Sequence, residues 1–122
     1  MNKKTILLLA MGLSFNLTEA QELKSTFTSN PFFSSYNTPY DVPPFHLIKN
    51  EHYKPAILEG IKKQQQEIDA IVNQKSQPTF ENTIIALENS GELLSKVSTV
   101  FNNMNSANTN EEIQQIAKDV AP

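Results

Sequence analysis

"NEHYKPAILEGIKKQQQEIDAIVNQ", Asn50 to Gln74, is where the pattern of this chain changes from irregular to periodic. Ile57, Ile61, Ile68, Ile71 and Val72 recur at helical spacing, while Lys62, Lys63, Gln65, Gln66 and Asp69 fall on the other side. That division predicts one long amphipathic helix. Pro55 fits its first turn, where a missing N–H costs nothing. Asn50 is the expected N-cap, and the polar run "NQKSQP" ends the element.

The same signal continues downstream. In "QPTFENTIIALENSG", Gln77 to Gly91, Thr79 is a capping residue and Phe80, Ile84, Leu87 and Gly91 share one face. Glu81 sits near the positive end of the helix dipole, and Gly91 supplies a C-terminal stop. Leu93, Leu94, Val97, Val100, Phe101 and Met104 then form a broad stripe. So short a connection predicts an antiparallel hairpin of helices. After "NSANTN", Thr109 and Glu112 have capping-box spacing ahead of Ile113, Ile116, Ala117 and Val120. The predicted helices span about 52–73, 79–90, 92–105 and 110–121. The fold class is all-α, and residues 50–122 form a helical segment whose last stripe still wants a partner, as in a chain truncated at its C-terminus.

Upstream the chemistry differs. Residues 1–20 have the layout of a signal peptide: a cationic "MNKK", the apolar run "TILLLAMGLSF", then "NLTEA" with small residues at Thr18 and Ala20. Cleavage is expected between Ala20 and Gln21, and an exported product, periplasmic or secreted, follows. The apolar run is too short to span a bilayer, which needs roughly 20 residues. Residues 21–49 form a leader and an extended arm. Pro31, Pro39, Pro43 and Pro44 forbid a continuous helix, and Phe32, Phe33, Tyr36, Tyr40 and Phe45 are expected to anchor the arm on a folded body. Phe45 and Tyr53 are assigned to the core between arm and helix.

Composition excludes several functions. The chain of 122 residues carries a formal charge of −3, and every one of its ten basic residues is a lysine. No stretch clusters them, so a nucleic-acid partner is rejected. No other run suggests a membrane partner after signal cleavage. Three glycines make no phosphate cradle, and there is no cysteine. His46 and His52 lie six residues apart, whereas a helical metal site wants ligands three or four apart. No serine or threonine is tied to a base by any motif. Glu81 and Glu88, and the pair Glu111 and Glu112, are better explained as helix-end or solvated charges. The residues themselves assign no catalytic role, no metal ligand and no substrate-binding position.

Taken in order, "NPFF…TPYDVPPFHLIKNEHYKPAILEGI" and "PTFENTIIALENSGELLSKVSTVFNNMNSANTNEEIQ" resemble the N-terminal part of one family. It is the thimet oligopeptidase-like zinc metallopeptidases, in the branch of the peptidyl-dipeptidases and oligopeptidase A. The resemblance rests on Asn30, Pro31, Pro43, Pro44, Phe45, Ile48, Glu51, His52, Pro55 and Ala56. Its second block adds Pro78, Thr79, Phe80, Glu81, Asn82, Thr83, Leu87, Glu88 and Gly91, and continues to Thr109. It implies a larger, almost wholly helical peptidase, with N-terminal helices roofing a channel for short peptides. It also implies a zinc ion held by a His-Glu-x-x-His helix and a further glutamate. That motif does not occur between Met1 and Pro122, so the resemblance carries no catalytic or zinc-binding residue onto this chain. The partners it implies are short peptides and the rest of the same polypeptide. The alternative is a free-standing, exported helical binding module without catalysis.

Overall fold

A computed structural model describes residues 29–121. The expected signal peptide, the Ala20–Gln21 cleavage point and the first part of the leader lie outside the described residues. The chain divides into two units, Met1–Asn30 and Pro31–Pro122. Of the first, only Ser29 and Asn30 are described, and Asn30 is buried.

The second unit is all-α. Its helices are α1 (Asn50–Val72), α2 (Ala86–Glu88), α3 (Glu92–Ala107) and α4 (Glu111–Asp119). A π-helical segment, Phe80–Ile85, runs directly into α2, and two single 3-10 turns, Pro31–Phe33 and Pro39–Asp41, precede α1. None of the described helices is long and apolar enough to cross a membrane.

The core forms where α1 packs along α3. Tyr53, Ala56 and Ile57 of α1 meet Val97, Val100 and Phe101 of α3, and Ile113 and Ile116 of α4 complete the cluster. Phe32 enters from the first 3-10 turn and is 1% exposed. Its ring lies 5.5 Å from that of Tyr53, which meets Phe101 edge-on at 5.2 Å. Such tilted contacts suit the aromatic quadrupole. Gly60 is the closest approach of α1 and α3: a Cβ placed there would lie 2.9 Å from the Leu94 Cα.

Polar contacts fix α4 and the arm. Lys54 Nζ pairs with Asp119 Oδ2 at 2.7 Å, and Asn50 Nδ2 donates to Glu112 Oε2 at 2.7 Å. Lys96 holds the arm, donating from Nζ to the Ser34 carbonyl at 2.7 Å and the Phe32 carbonyl at 3.3 Å. The same ammonium lies 3.9 Å from the centre of the Tyr36 ring, a cation–π contact.

Several expectations are corrected. The last stripe is not left wanting a partner: Ile113 and Ile116 of α4 are 1% and 8% exposed within the core. Asn50 is the first residue of α1 and Lys49 its N-cap; the Asn50 side chain is committed to α4 instead. Asn110, not Thr109, caps α4, accepting from the Ile113 N–H at 2.9 Å. Thr109 donates to Asn105, and Glu112 is held by Asn50. Phe45 is 51% exposed and Tyr40 98% exposed, so neither anchors the arm. The backbone N–H groups of Phe45, Leu47 and Ile48 fold back onto the carbonyls of Pro43 and Pro44. That tight turn buries Pro44 while the Phe45 ring stays half in solvent. Tyr40 sits in a left-handed turn, φ 59°.

The two apolar stripes are also divided differently. Ile57 is 5% exposed, but Ile61 is 45% and Val72 74% exposed. Rotation of about 100° per residue places Leu58, Ile61 and Val72 beside the buried face, not on it. In the following segment Phe80, Ile84 and Leu87 are 63%, 50% and 52% exposed. Its polar side is the one held, as described next.

Candidate functional site

The two histidines part company in the structure. His46 is exposed. His52 is buried in the first turn of α1, where its Nδ1 accepts the Lys49 N–H at 3.1 Å. The proton of the neutral ring is therefore on Nε2, 3.9 Å from Glu51 Oε1. Burial pushes His52 below the ordinary imidazole value of 6.5, with Glu51 working against the shift and Lys49 with it. No group of three histidine, cysteine or carboxylate side chains converges among the described residues. His52 is occupied as a helix cap.

That geometry makes stability pH-dependent. The folded-state pKa lies below the unfolded one, so on acidification the unfolded chain takes up the proton first. The His52 contribution to stability is full above pH 6.5 and falls as the pH drops below it. A protonated Nδ1 also can no longer accept from Lys49. The urea midpoint should therefore fall between pH 7.5 and pH 5.5, and His52→Gln should flatten that decline. An equal decline in the variant would assign it to other groups.

An open, charged groove of about 260 Å³ lies between residues 32–35, α1 and α3. Lys63, Glu67, Glu92 and Lys96 line it. Burial lowers the Lys96 ammonium from the usual lysine range, and Glu92 and Asp41 oppose that shift. Glu67 Oε2 accepts the N–H of Gly91, which N-caps α3 with φ 75°, at 2.7 Å. A carboxylate at a helix N-terminus is well placed for the dipole. Both Lys96 and Glu67 thus serve the fold.

The segment "PTFENT" is a turn held by a dense set of side-chain hydrogen bonds. Asn82 is its centre. Asn82 Oδ1 accepts the Thr79 N–H at 2.7 Å and the Thr83 hydroxyl at 2.9 Å, and Asn82 Nδ2 donates to the Gln77 carbonyl at 3.0 Å. The Asn82 N–H donates to Thr79 Oγ1 at 3.1 Å, closing a reciprocal cap. Gln74, just past α1, donates to the Asn82 carbonyl at 3.2 Å. These bonds hold the polar side and leave Phe80, Ile84 and Leu87 outward. Glu81 and Glu88 are exposed, as solvated charges are. The roles of Asn82, Glu67 and Lys96 are missed by motif reading. Only the Thr79-to-Asn82 spacing, an Asn where a capping box has Glu or Gln, signals one of them.

No family model matches the chain. The chain is similar to the dipeptidyl carboxypeptidase of Salmonella typhimurium, 46% identical over 89 residues, which are 73% of this chain and 13% of that protein. The dipeptidyl carboxypeptidase of Escherichia coli is 47% identical over the same length and shares. Oligopeptidase A of Escherichia coli is 25% identical over 85 residues, 70% of this chain and 12% of that protein. The chain therefore spans about an eighth of the length of the curated relatives it matches, 13% for the first two. Over most of its described residues, the chain is a homologue of part of the dipeptidyl carboxypeptidases and, more distantly, of oligopeptidase A.

Proposed function

We propose that the chain is the N-terminal part of an exported zinc metallopeptidase that releases C-terminal dipeptides from short peptides, and that its helices roof the substrate channel. The observation that carries this reading is the near-half identity to two dipeptidyl carboxypeptidases along 73% of the chain. The zinc, held by residues outside this stretch, would polarise the scissile carbonyl and lower the pKa of its bound water. The residues described here supply the scaffold: the α1–α3 pair, the arm pinned by Lys96 and the "PTFENT" turn.

The test uses the protein made from its complete reading frame. It should carry a His-Glu-x-x-His motif and release a dipeptide from the free C-terminus of a blocked tetrapeptide, and a chelator should abolish that release. The 122-residue chain alone should release none. Absence of the motif, or of chelator-sensitive release, overturns the reading. Export is tested on the same product: the purified periplasmic or secreted form should begin at Gln21. A product beginning at Met1 refutes cleavage.

A second reading, an exported helical binding module, is favoured by one observation, the outward face of Phe80, Ile84 and Leu87. It predicts a cooperative melt for residues 21–122 alone and no downstream peptidase motif.

A further inference from the structure

Among the described residues, two apolar stripes are left in solvent. One lies on α1, at Leu58, Ile61 and Val72, which are 50%, 45% and 74% exposed. The other is Phe80, Ile84 and Leu87, 63%, 50% and 52% exposed. Large exposed apolar surfaces on soluble domains mark interaction sites. The second stripe has a further property. Its backbone is set by the Asn82 network, whose bonds are all to polar groups between Gln74 and Thr83. None of these bonds uses the side chains of Phe80, Ile84 or Leu87, so the backbone that carries them is ordered before any partner arrives. A backbone already ordered adds little to the entropy lost on docking.

We infer that Phe80, Ile84 and Leu87, together with the α1 stripe, form the seam against the remaining polypeptide of the longer peptidase. This rests on the peptidase reading. The occupant follows from the comparisons: the matched residues are 13% of each dipeptidyl carboxypeptidase, so most of such a protein lies outside the part described here. A second copy of this chain is the competing occupant, and the test separates the two.

The chain has no cysteine, so single thiols can be placed at will. Phe80→Cys, Ile84→Cys and Leu87→Cys are made separately, in the 122-residue chain and in the protein from the complete reading frame. Each thiol is titrated with a maleimide, against the unsubstituted protein as background and the denatured protein for intrinsic reactivity. The isolated chain should react at the rate of an open thiol. The long protein should react slower by roughly a hundredfold, as a thiol that needs local opening does. Equal rates in the two proteins overturn the inference. Protection already present in the isolated chain, and growing with its concentration, assigns the face to a second copy and also overturns it. So does a reading frame that closes at Pro122. Dipeptide release is measured in parallel. Free thiols with release intact sink the seam alone, and protected thiols without release sink the enzymatic reading alone.

Discussion

Phe101→Ala should cost the described unit about 3–5 kcal/mol, the range for deleting a buried aromatic ring. Phe101 is 4% exposed and closes the ring series that starts at Phe32 and passes through Tyr53. Alanine leaves a void on α3 beside the Tyr53 ring of α1. These elements are tied to one another, so the void cannot collapse without moving the α1–α3 pair. A domain of this size has roughly 5–15 kcal/mol in total, so the loss is a large share of it. With a urea slope of roughly 1.5 kcal/mol per molar, the midpoint should fall by about 2 M or more. A shift under about 0.5 M would mean that Phe101 is not the keystone. Phe80→Ala is the matched contrast. It removes the same ring from a site 63% exposed, and it should stay within about 0.5 kcal/mol in the chain alone.

Gly60→Ala should destabilise by about 1–3 kcal/mol, against the ordinary rule for helices. In an exposed helix interior the same change stabilises, by roughly 0.5–1 kcal/mol, because glycine is the more flexible residue. Here the new Cβ would meet the Leu94 Cα at 2.9 Å and the Leu94 N at 3.0 Å. Both are backbone atoms inside α3, so neither can swing aside as a side chain can. The helices must separate along their seam, and the contacts of Ala56, Ile57 and Val97 loosen with them. The sign is the decisive observation. A variant with a raised melting temperature would show that α1 and α3 do not approach as closely as described.

The sequence shows the helices because burying one face of a helix forces apolar residues into a period of 3.6, whatever the partner. The Val97–Val100–Phe101 stripe is therefore legible before any coordinate. Whether a stripe is covered is a different question. Ile57 and Ile61 are four residues apart and chemically identical, yet only Ile57 is buried. Phe80, Ile84 and Leu87 are spaced like core residues and lie outside it, because Asn82 fixes the turn by hydrogen bonds with no call on hydrophobic burial. Phe45 is misjudged for a related reason: aromatic character says what a ring would gain in a core, while the turn after Pro44 decides where it points. The chemistry was least legible of all. Nothing in His46 or His52 marks one as exposed and the other as a buried cap, since only the fold brings the Lys49 N–H to His52.

The Asn82 network has a consequence for the order in which the chain takes shape. Its longest bond, from Gln74 to Asn82, spans eight residues, and the others span five or fewer. Closing so small a loop costs little entropy and takes well under a microsecond or so. The Tyr53–Phe101 contact joins partners from separate helices, and it waits for a much larger loop to close. The turn therefore sits on the faster clock. It lies between α1 and α3 in sequence, so it shortens the search that brings those two helices together.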